Sequence, residues 1–285
     1  MQAQDFLTTT LRTHPRGADV AAVLHAAVRA ADPYQAVRHH LVLEGSRLRI
    51  GADHYDLDSF ERVLLLAIGK AAVPMARAAC ECLGDQIRAG LAVPKSGGMT
   101  SSTSVCVPVL EGSHPVPDEH SLRAGEQAYR LLDSATERDL VLVLLSGGGS
   151  ALITWPEDGL TLADMQALTD ALLRSGATIN EFNALRRRCD RVKAGGLLGA
   201  ARPATVAVLV LSDVIGDDLA AIASGPFVPP AEAGAQNEVA RIITRYGLAE
   251  RLPAHLLRFL AHEPRAAPAA SLAPVPHTII ANVVA

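Results

Sequence analysis

Short runs of consecutive aliphatic residues alternate along this chain with longer stretches in which apolar positions recur at a helical period. RVLLLAIG at 62–69, DLVLVLL at 139–145 and ATVAVLVL at 204–211 are apolar through their interiors, as expected of strands covered on both faces. Amphipathic stretches lie between and around them. They predict helices over 18–31, stopping at Asp32-Pro33, over AAVPMARAACECLG, closing at Gly84, and over EHSLRAGEQAYRLLDSA. Further helices are predicted over 162–175, 178–190, and near 236–246 and 253–261. The alternating segments between 41 and 57 suggest a small hairpin. AGLAVPK and SVCVPVLEG read as further strands, joined by the Gly-rich SGGMTSS. No internal repeat interrupts the series. The alternation is that of βαβ units, so the class is α/β with a mostly parallel sheet.

The Pro-rich GPFVPPAEAG breaks this pattern, and EPRAAPAASLAPVP reads as a linker before HTIIANVVA, an apolar β-branched run. A strand needs neighbours and a covering element, so this last run reads as the opening of a second unit. The alternative, an added edge strand of the main sheet, is left open by the pattern.

With 285 residues, 49% hydrophobic and 20% charged, the chain has ample material for a packed core and is not a disordered sequence. Its formal net charge of −4, without a basic block, and its 4% aromatic content disfavour nucleic acid and anionic membranes as partners. The N-terminal MQAQDFLTTTLRTHPRG has no apolar core like that of a signal peptide. Apolar runs fall short of the roughly 20 residues that cross a bilayer. Cys80, Cys82, Cys106 and Cys189 form no C-x-x-C pair, so neither a zinc site nor a disulfide framework is expected. A cytoplasmic location is the resulting expectation.

In parallel sheets ligands bind outside the carboxyl ends of the strands, and three predicted strand ends carry reactive residues. The first is Ile68-Gly69-Lys70-Ala71-Ala72, where a lysine opens a helix. Exposed helix N–H groups beside an ammonium favour an anion there; a solvated lysine is the bland alternative. The second is Ser146-Gly147-Gly148-Gly149-Ser150-Ala151, where small residues let amides and hydroxyls approach an anion. It matches neither G-x-x-x-x-G-K-[ST] nor G-x-G-x-x-G. The third is Ser212-Asp213-Val214-Ile215-Gly216-Asp217-Asp218, followed by Ala223-Ser224-Gly225-Pro226. Asp213 at a strand end suits Mg²⁺ or an attacking hydroxyl; Asp217 is a second metal candidate, and Asp217 and Asp218 could instead cap a helix. His114, between Ser113 and Pro115, could relay protons or belong to a rigid turn. Asn183, Arg186 and Lys193 are candidates to contact a carboxylate or phosphate, while Arg187 and Arg188 read as a solvated face. His39, His40 and the cysteines read as structural or incidental.

These strand ends, with His114-Pro115-Val116-Pro117-Asp118 and Ser175-Gly176-Ala177-Thr178-Ile179-Asn180-Glu181, run in a single series along the chain. The series resembles the glycerate 2-kinase family, or type II glycerate kinases of the MOFRL type, a group also known as hydroxypyruvate reductases. The resemblance implies a Rossmann-like three-layer α/β/α domain over 1–265. Residues 266–285 would then be a linker and the first strand of a missing C-terminal domain. It also implies phosphorylation of D-glycerate by ATP with Mg²⁺, with Lys70 in the catalytic position and the SGGGS and SDV-GD segments lining an interdomain cleft. A departure is Arg186-Arg187-Arg188-Cys189-Asp190 and Lys193-Ala194-Gly195-Gly196, where the family has an Arg-Lys-His-Leu-Ser stretch and a Lys-Gly-Gly run. The family's Gly-Gly-Arg-Asn-Gln-Glu segment is not found here, so a truncated or split kinase is expected, completed by a separate C-terminal chain or as a homodimer. Two rivals are an NAD(P)H-dependent hydroxypyruvate reductase and a non-catalytic binding module.

Overall fold

The computed structural model describes residues 2–97, 105–230, 235–262 and 272–282. Much of the SGGMTSS connection, the end of GPFVPPAEAG, most of the predicted linker and the 265/266 boundary lie outside the described residues. Three helices open the chain, α1 (Thr9–Thr13), α2 (Gly17–Ala30) and α3 (Pro33–His40). The break at Asp32-Pro33 ends α2 and also starts α3. Asp32 accepts a hydrogen bond from the Gln35 amide at 2.9 Å, and Pro33 takes the first helical position, where a missing N–H costs nothing. The expected hairpin is instead a three-stranded antiparallel meander, β1 (Leu41–Glu44), β2 (Arg47–Ile50) and β3 (Asp53–Asp56).

The main sheet comes next. Strand β4 (Arg62–Ile68) leads to α4 (Ala72–Leu83) and β5 (Ile87–Val93); α5 (Glu119–Asp133) leads to β6 (Asp139–Ser146). Then come α6 (Gly149–Leu152), α7 (Leu162–Ser175), α8 (Ile179–Cys189), α9 (Gly196–Ala200) and β7 (Thr205–Leu211). Last are α10 (Ala235–Arg245), α11 (Ala254–Ala261) and β8 (His277–Ala281). The strand order is β5-β4-β6-β7-β8, every pairing parallel. The terminal run therefore pairs as an edge strand beside β7, with Val208 opposite His277 and Leu211 opposite Ala281.

Alternation along the strands feeds two cores. Leu64, Leu66, Ile68, Val141, Val143 and Val208 pack to one side with α5 and α9. Val63, Leu65, Ala67, Leu140, Leu142 and Leu209 pack to the other with α3, α4 and the meander. A third apolar cluster joins α7, α8, α10 and α11 at one end. The result is the three-layer α/β/α arrangement. Residues 105–112 form no regular strand. Isolated bridges join Ala92 to Val109 and Lys95 to Gly112, and between them Pro94 has no N–H to give the Leu110 carbonyl, so the ladder is interrupted. A disulfide joins Cys80 on α4 to Cys106, which corrects the expectation of unpaired cysteines. The two positions meet only because this segment runs along β5 above α4.

Candidate active site

From β4 the chain crosses to β5 on one side, while β6 adds on the other, which makes the β4/β6 crevice the sheet's switch point. Both glycine-bearing strand ends open into it. Gly69 follows β4 at φ 126°, a conformation that suits glycine. A Cβ there would strike the Ser146 carbonyl and hydroxyl. Lys70 donates its amide to the Gly147 carbonyl at 2.9 Å, Ala71 to the Ser146 hydroxyl at 3.0 Å, and Ala72 to Gly69 at 3.0 Å. Those amides are spent and Pro74 has none to give, so the start of α4 is not the open N–H cluster expected beside Lys70. What it leaves available is the exposed lysine side chain.

Gly148, at φ 86°, is where the site converges. A Cβ on it would lie 3.1 Å from Lys70 Cε and 3.5 Å from His114 Cδ2. Gly147 is closed over by Asp213, whose carboxylate occupies the space a Cβ would need. Lys70, His114, the glycine turn and exposed Asp213 thus share one mouth. Burial lowers the pKa of His114, and Lys70, Lys95 and Arg186 lower it further against a smaller opposing pull from Asp213. His114 is therefore a neutral ring at pH 7. Lys95, just beyond β5, belongs to this neighbourhood and is absent from the candidates read in the sequence. The signal for it is a lysine directly after an apolar strand, as at Lys70.

A second layer braces the turn. The Ser150 and Ser224 hydroxyls are hydrogen-bonded, and Ser224 donates to Asn183 Oδ1 at 2.9 Å. Asn183 donates in turn to the Ala221 carbonyl at 3.5 Å. Ala223, Ser224 and Gly225 all have positive φ, and two non-glycine residues held so cost of order 1–3 kcal/mol each. Arg186 is buried, stacks 4.2 Å over Phe182, and donates to the Pro115 carbonyl at 3.3 Å and to Thr169 Oγ1 at 3.2 Å. Burial pushes its pKa down to about 10. It holds the turn that carries His114, which Gln166 also ties at the Pro117 carbonyl, 3.0 Å away.

Two candidates stand elsewhere. Lys193 is 3% exposed and gives its ammonium to Asp190 at 2.7 Å and to the Ile153 carbonyl at 3.0 Å. Asp190 is itself bound by Thr154 Oγ1 at 2.6 Å and by the amides of Trp155 at 3.0 Å and Val192 at 3.1 Å. Lys193 is therefore enclosed, not open to a ligand. Asp217 accepts from Asn282 Nδ2 at 2.7 Å, tying the turn after β7 to β8. Its other oxygen is buried without a hydrogen-bond partner. Asp218 caps the following turn through the Ala220 amide at 2.9 Å.

A family described as "Domain of unknown function (DUF4147)" matches residues 19–261, which hold the whole of this mouth. The chain belongs to the DUF4147 family. Its relatives give that description a context. The chain is 39% identical over 227 residues to the glycerate 2-kinase of Pyrococcus horikoshii, covering 80% of this chain and 50% of that protein. It is 43% identical over 190 residues to the D-glycerate 2-kinase of Thermotoga maritima, 67% of this chain and 45% of that one. The crystal structure of glycerate kinase from Thermotoga maritima superposes with a TM-score of 0.74 at 35% identity, over 92% of this chain and 58% of that one. This DUF4147 chain spans about half the length of the curated relatives it matches. Among the described residues no helix is long and apolar enough to cross a membrane.

Proposed function

We propose that this chain supplies the Rossmann-like half of a D-glycerate 2-kinase, in which the 2-hydroxyl of D-glycerate attacks the γ-phosphorus of ATP and ADP leaves. The observation that carries the reading is the meeting of Lys70, His114 and Asp213 around Gly147 and Gly148 at the switch point, on a chain whose relatives bear that enzyme's name. Phosphoryl transfer asks for positioned charge more than for covalent chemistry. Lys70 is placed to meet the transferring phosphoryl oxygens. The 146–151 turn gives them room, with Ser150 held by Ser224 and Asn183. One Asp213 oxygen can orient the attacking hydroxyl and take its proton. Arg186 acts behind the turn as a positioning residue. Lys193 has no direct part, and Asp217 ties down β8.

The donors fit Mg²⁺, which binds through one or two carboxylates plus substrate phosphates; exposed Asp213 is the residue that would hold it. When bound, the ion supplies charge neutralisation on the triphosphate. Residues 1–265 would form the body of this domain, with β8 added to its sheet, and 266–285 would also be the passage to a second one, from a separate chain or a longer polypeptide, with a homodimer as the other arrangement. ATP as co-substrate fits a cytoplasmic reaction.

The test is ADP release from ATP, Mg²⁺ and D-glycerate, with and without the C-terminal half of a relative supplied in trans. Phosphorus NMR of the product distinguishes 2-phosphoglycerate from the 3-isomer. Expected are turnover in the complemented mixture, 2-phosphoglycerate as product, and no nicotinamide oxidation with hydroxypyruvate. Absence of ADP in every mixture would sink the proposal.

A further inference from the structure

We propose that Lys95 binds the carboxylate of the hydroxy-acid substrate, so that Lys70 and Lys95 together recognise an acid phosphorylated at its adjacent carbon. The inference rests on the kinase reading of the site and adds to it the residue that selects an acid over a neutral alcohol. Strands β4 and β5 are neighbours in register, Ile68 opposite Val93. Gly69-Lys70 and Pro94-Lys95 therefore leave the sheet side by side, at the roughly 4.8 Å spacing of adjacent strands. The two flexible side chains thus rise from adjacent strand ends, where a single ligand bearing two anionic groups can meet both ammonium groups.

The backbone on each side of Lys95 is fixed by the same residue. Gly112 donates to the Pro94 carbonyl at 2.9 Å, and Gly112's own carbonyl accepts from the Ser96 amide at 2.9 Å and the Ser96 hydroxyl at 3.0 Å. Two residues further on is His114, against Gly148 and Lys70. Lys95 is thus held at its root while its side chain stays exposed. Among the described residues neither Lys70 nor Lys95 has an ion-pair partner.

The charges around the His114 ring are Lys70, Lys95 and Arg186 against Asp213. Lys70 and Lys95 at the mouth, with Arg186 behind the turn, outnumber Asp213, so the mouth favours an anionic ligand. The order of the strand ends assigns its two groups. Asp213 and the glycine turn lie on the β6 and β7 side of Lys70, whereas Lys95 lies on the β5 side. With phosphoryl chemistry between Lys70 and Asp213, the group facing Lys95 is the non-reacting end of the acid. An ammonium on a flexible stem accepts a single carboxylate oxygen there.

Calorimetry of the full chain with 2-phosphoglycerate and with glycerol 2-phosphate isolates this contact, because the second ligand keeps the phosphate and lacks the carboxylate. Wild type is expected to prefer 2-phosphoglycerate by about tenfold or more, the scale of one charge-assisted hydrogen bond. Lys95→Gln should erase the preference while glycerol 2-phosphate binding stays within about twofold, and Lys95→Arg should restore part of it. NMR titration of His114 in Lys95→Gln should show a raised midpoint, since a neighbouring cation is gone. A preference that survives in Lys95→Gln overturns the role of Lys95 and leaves the kinase reading standing. Failure of wild type to bind either ligand, both alone and with the C-terminal half supplied in trans, overturns that reading itself, and the inference with it.

Discussion

At the scale of single residues, burial decides what each charged or titratable group can do. Lys193 looks in sequence like a ligand-binding cation, yet it lies in an enclosed pair with Asp190. Breaking such a pair costs about 3–5 kcal/mol, so its role is to hold the fold. His114 and His277 are both held below their ordinary pKa, chiefly by burial; for His277 a hydrogen bond to the Val275 carbonyl opposes the shift in part. The Nε2 of His277 is buried without a partner. An unfolded histidine takes its proton near pH 6.5, whereas these rings take it only at lower pH. The unfolded chain therefore binds more protons as pH drops through about 6.5, and stability falls with it. Above that pH the contribution of the neutral rings is complete. The urea midpoint should drop between pH 7.5 and 5.5, and His277→Phe should shrink the drop. An equal drop in that variant would assign it to other groups.

At the scale of elements, two glycines of the mouth make different predictions because different atoms crowd them. A Cβ on Gly69 meets backbone of the neighbouring strand at a φ of 126°. Gly69→Ala should lower unfolding free energy by about 3 kcal/mol or more. A Cβ on Gly147 meets the exposed side chain of Asp213, which can swing away. Gly147→Ala should stay within about 1 kcal/mol of wild-type stability while losing turnover in the complemented kinase assay. The paired denaturation and activity measurements separate a folding glycine from a site glycine. These strands, and the lysine and aspartate at their ends, were legible because continuous apolar runs end in small and charged residues. The 105–112 segment was not. Its apolar residues promise a strand, but Pro94, with no N–H for the Leu110 carbonyl, leaves it only isolated bridges to β5. The nearness of Lys95 to His114 and of Cys80 to Cys106 was equally hidden. Both depend on the 105–112 segment lying along β5, a long-range choice that local periodicity does not encode.

At the scale of the whole molecule, β8 carries the question of where this unit ends. The sequence pattern reads HTIIANVVA as the opening of a second unit and leaves an added edge strand open, because nothing local says which sheet an apolar strand joins. In the fold it pairs in parallel with β7, and Ile280 is buried among residues from the meander, β4 and α4. Gly51, at the end of β2, closes against Thr278, so the meander leans on β8 as well. Asn282, just past β8, holds Asp217 in the turn beyond the Asp213 strand end. A chain cut after residue 271 would lose the Ile280 burial, worth about 1.5–3 kcal/mol alone, and the ladder along 208–211. It would also expose β7, whose Val208, Leu209 and Val210 are buried, as a new apolar edge open to self-association. The 1–271 variant should therefore unfold at lower urea than the full chain by at least about 3 kcal/mol, bind a hydrophobic dye, and sediment as larger species. If it matches the full chain in all three measurements, β8 is dispensable to this sheet and belongs to a second domain. If it fails them, β8 completes this sheet before the chain passes on, and the strand that would lead to a second domain is also what steadies the Asp217 turn beside the mouth.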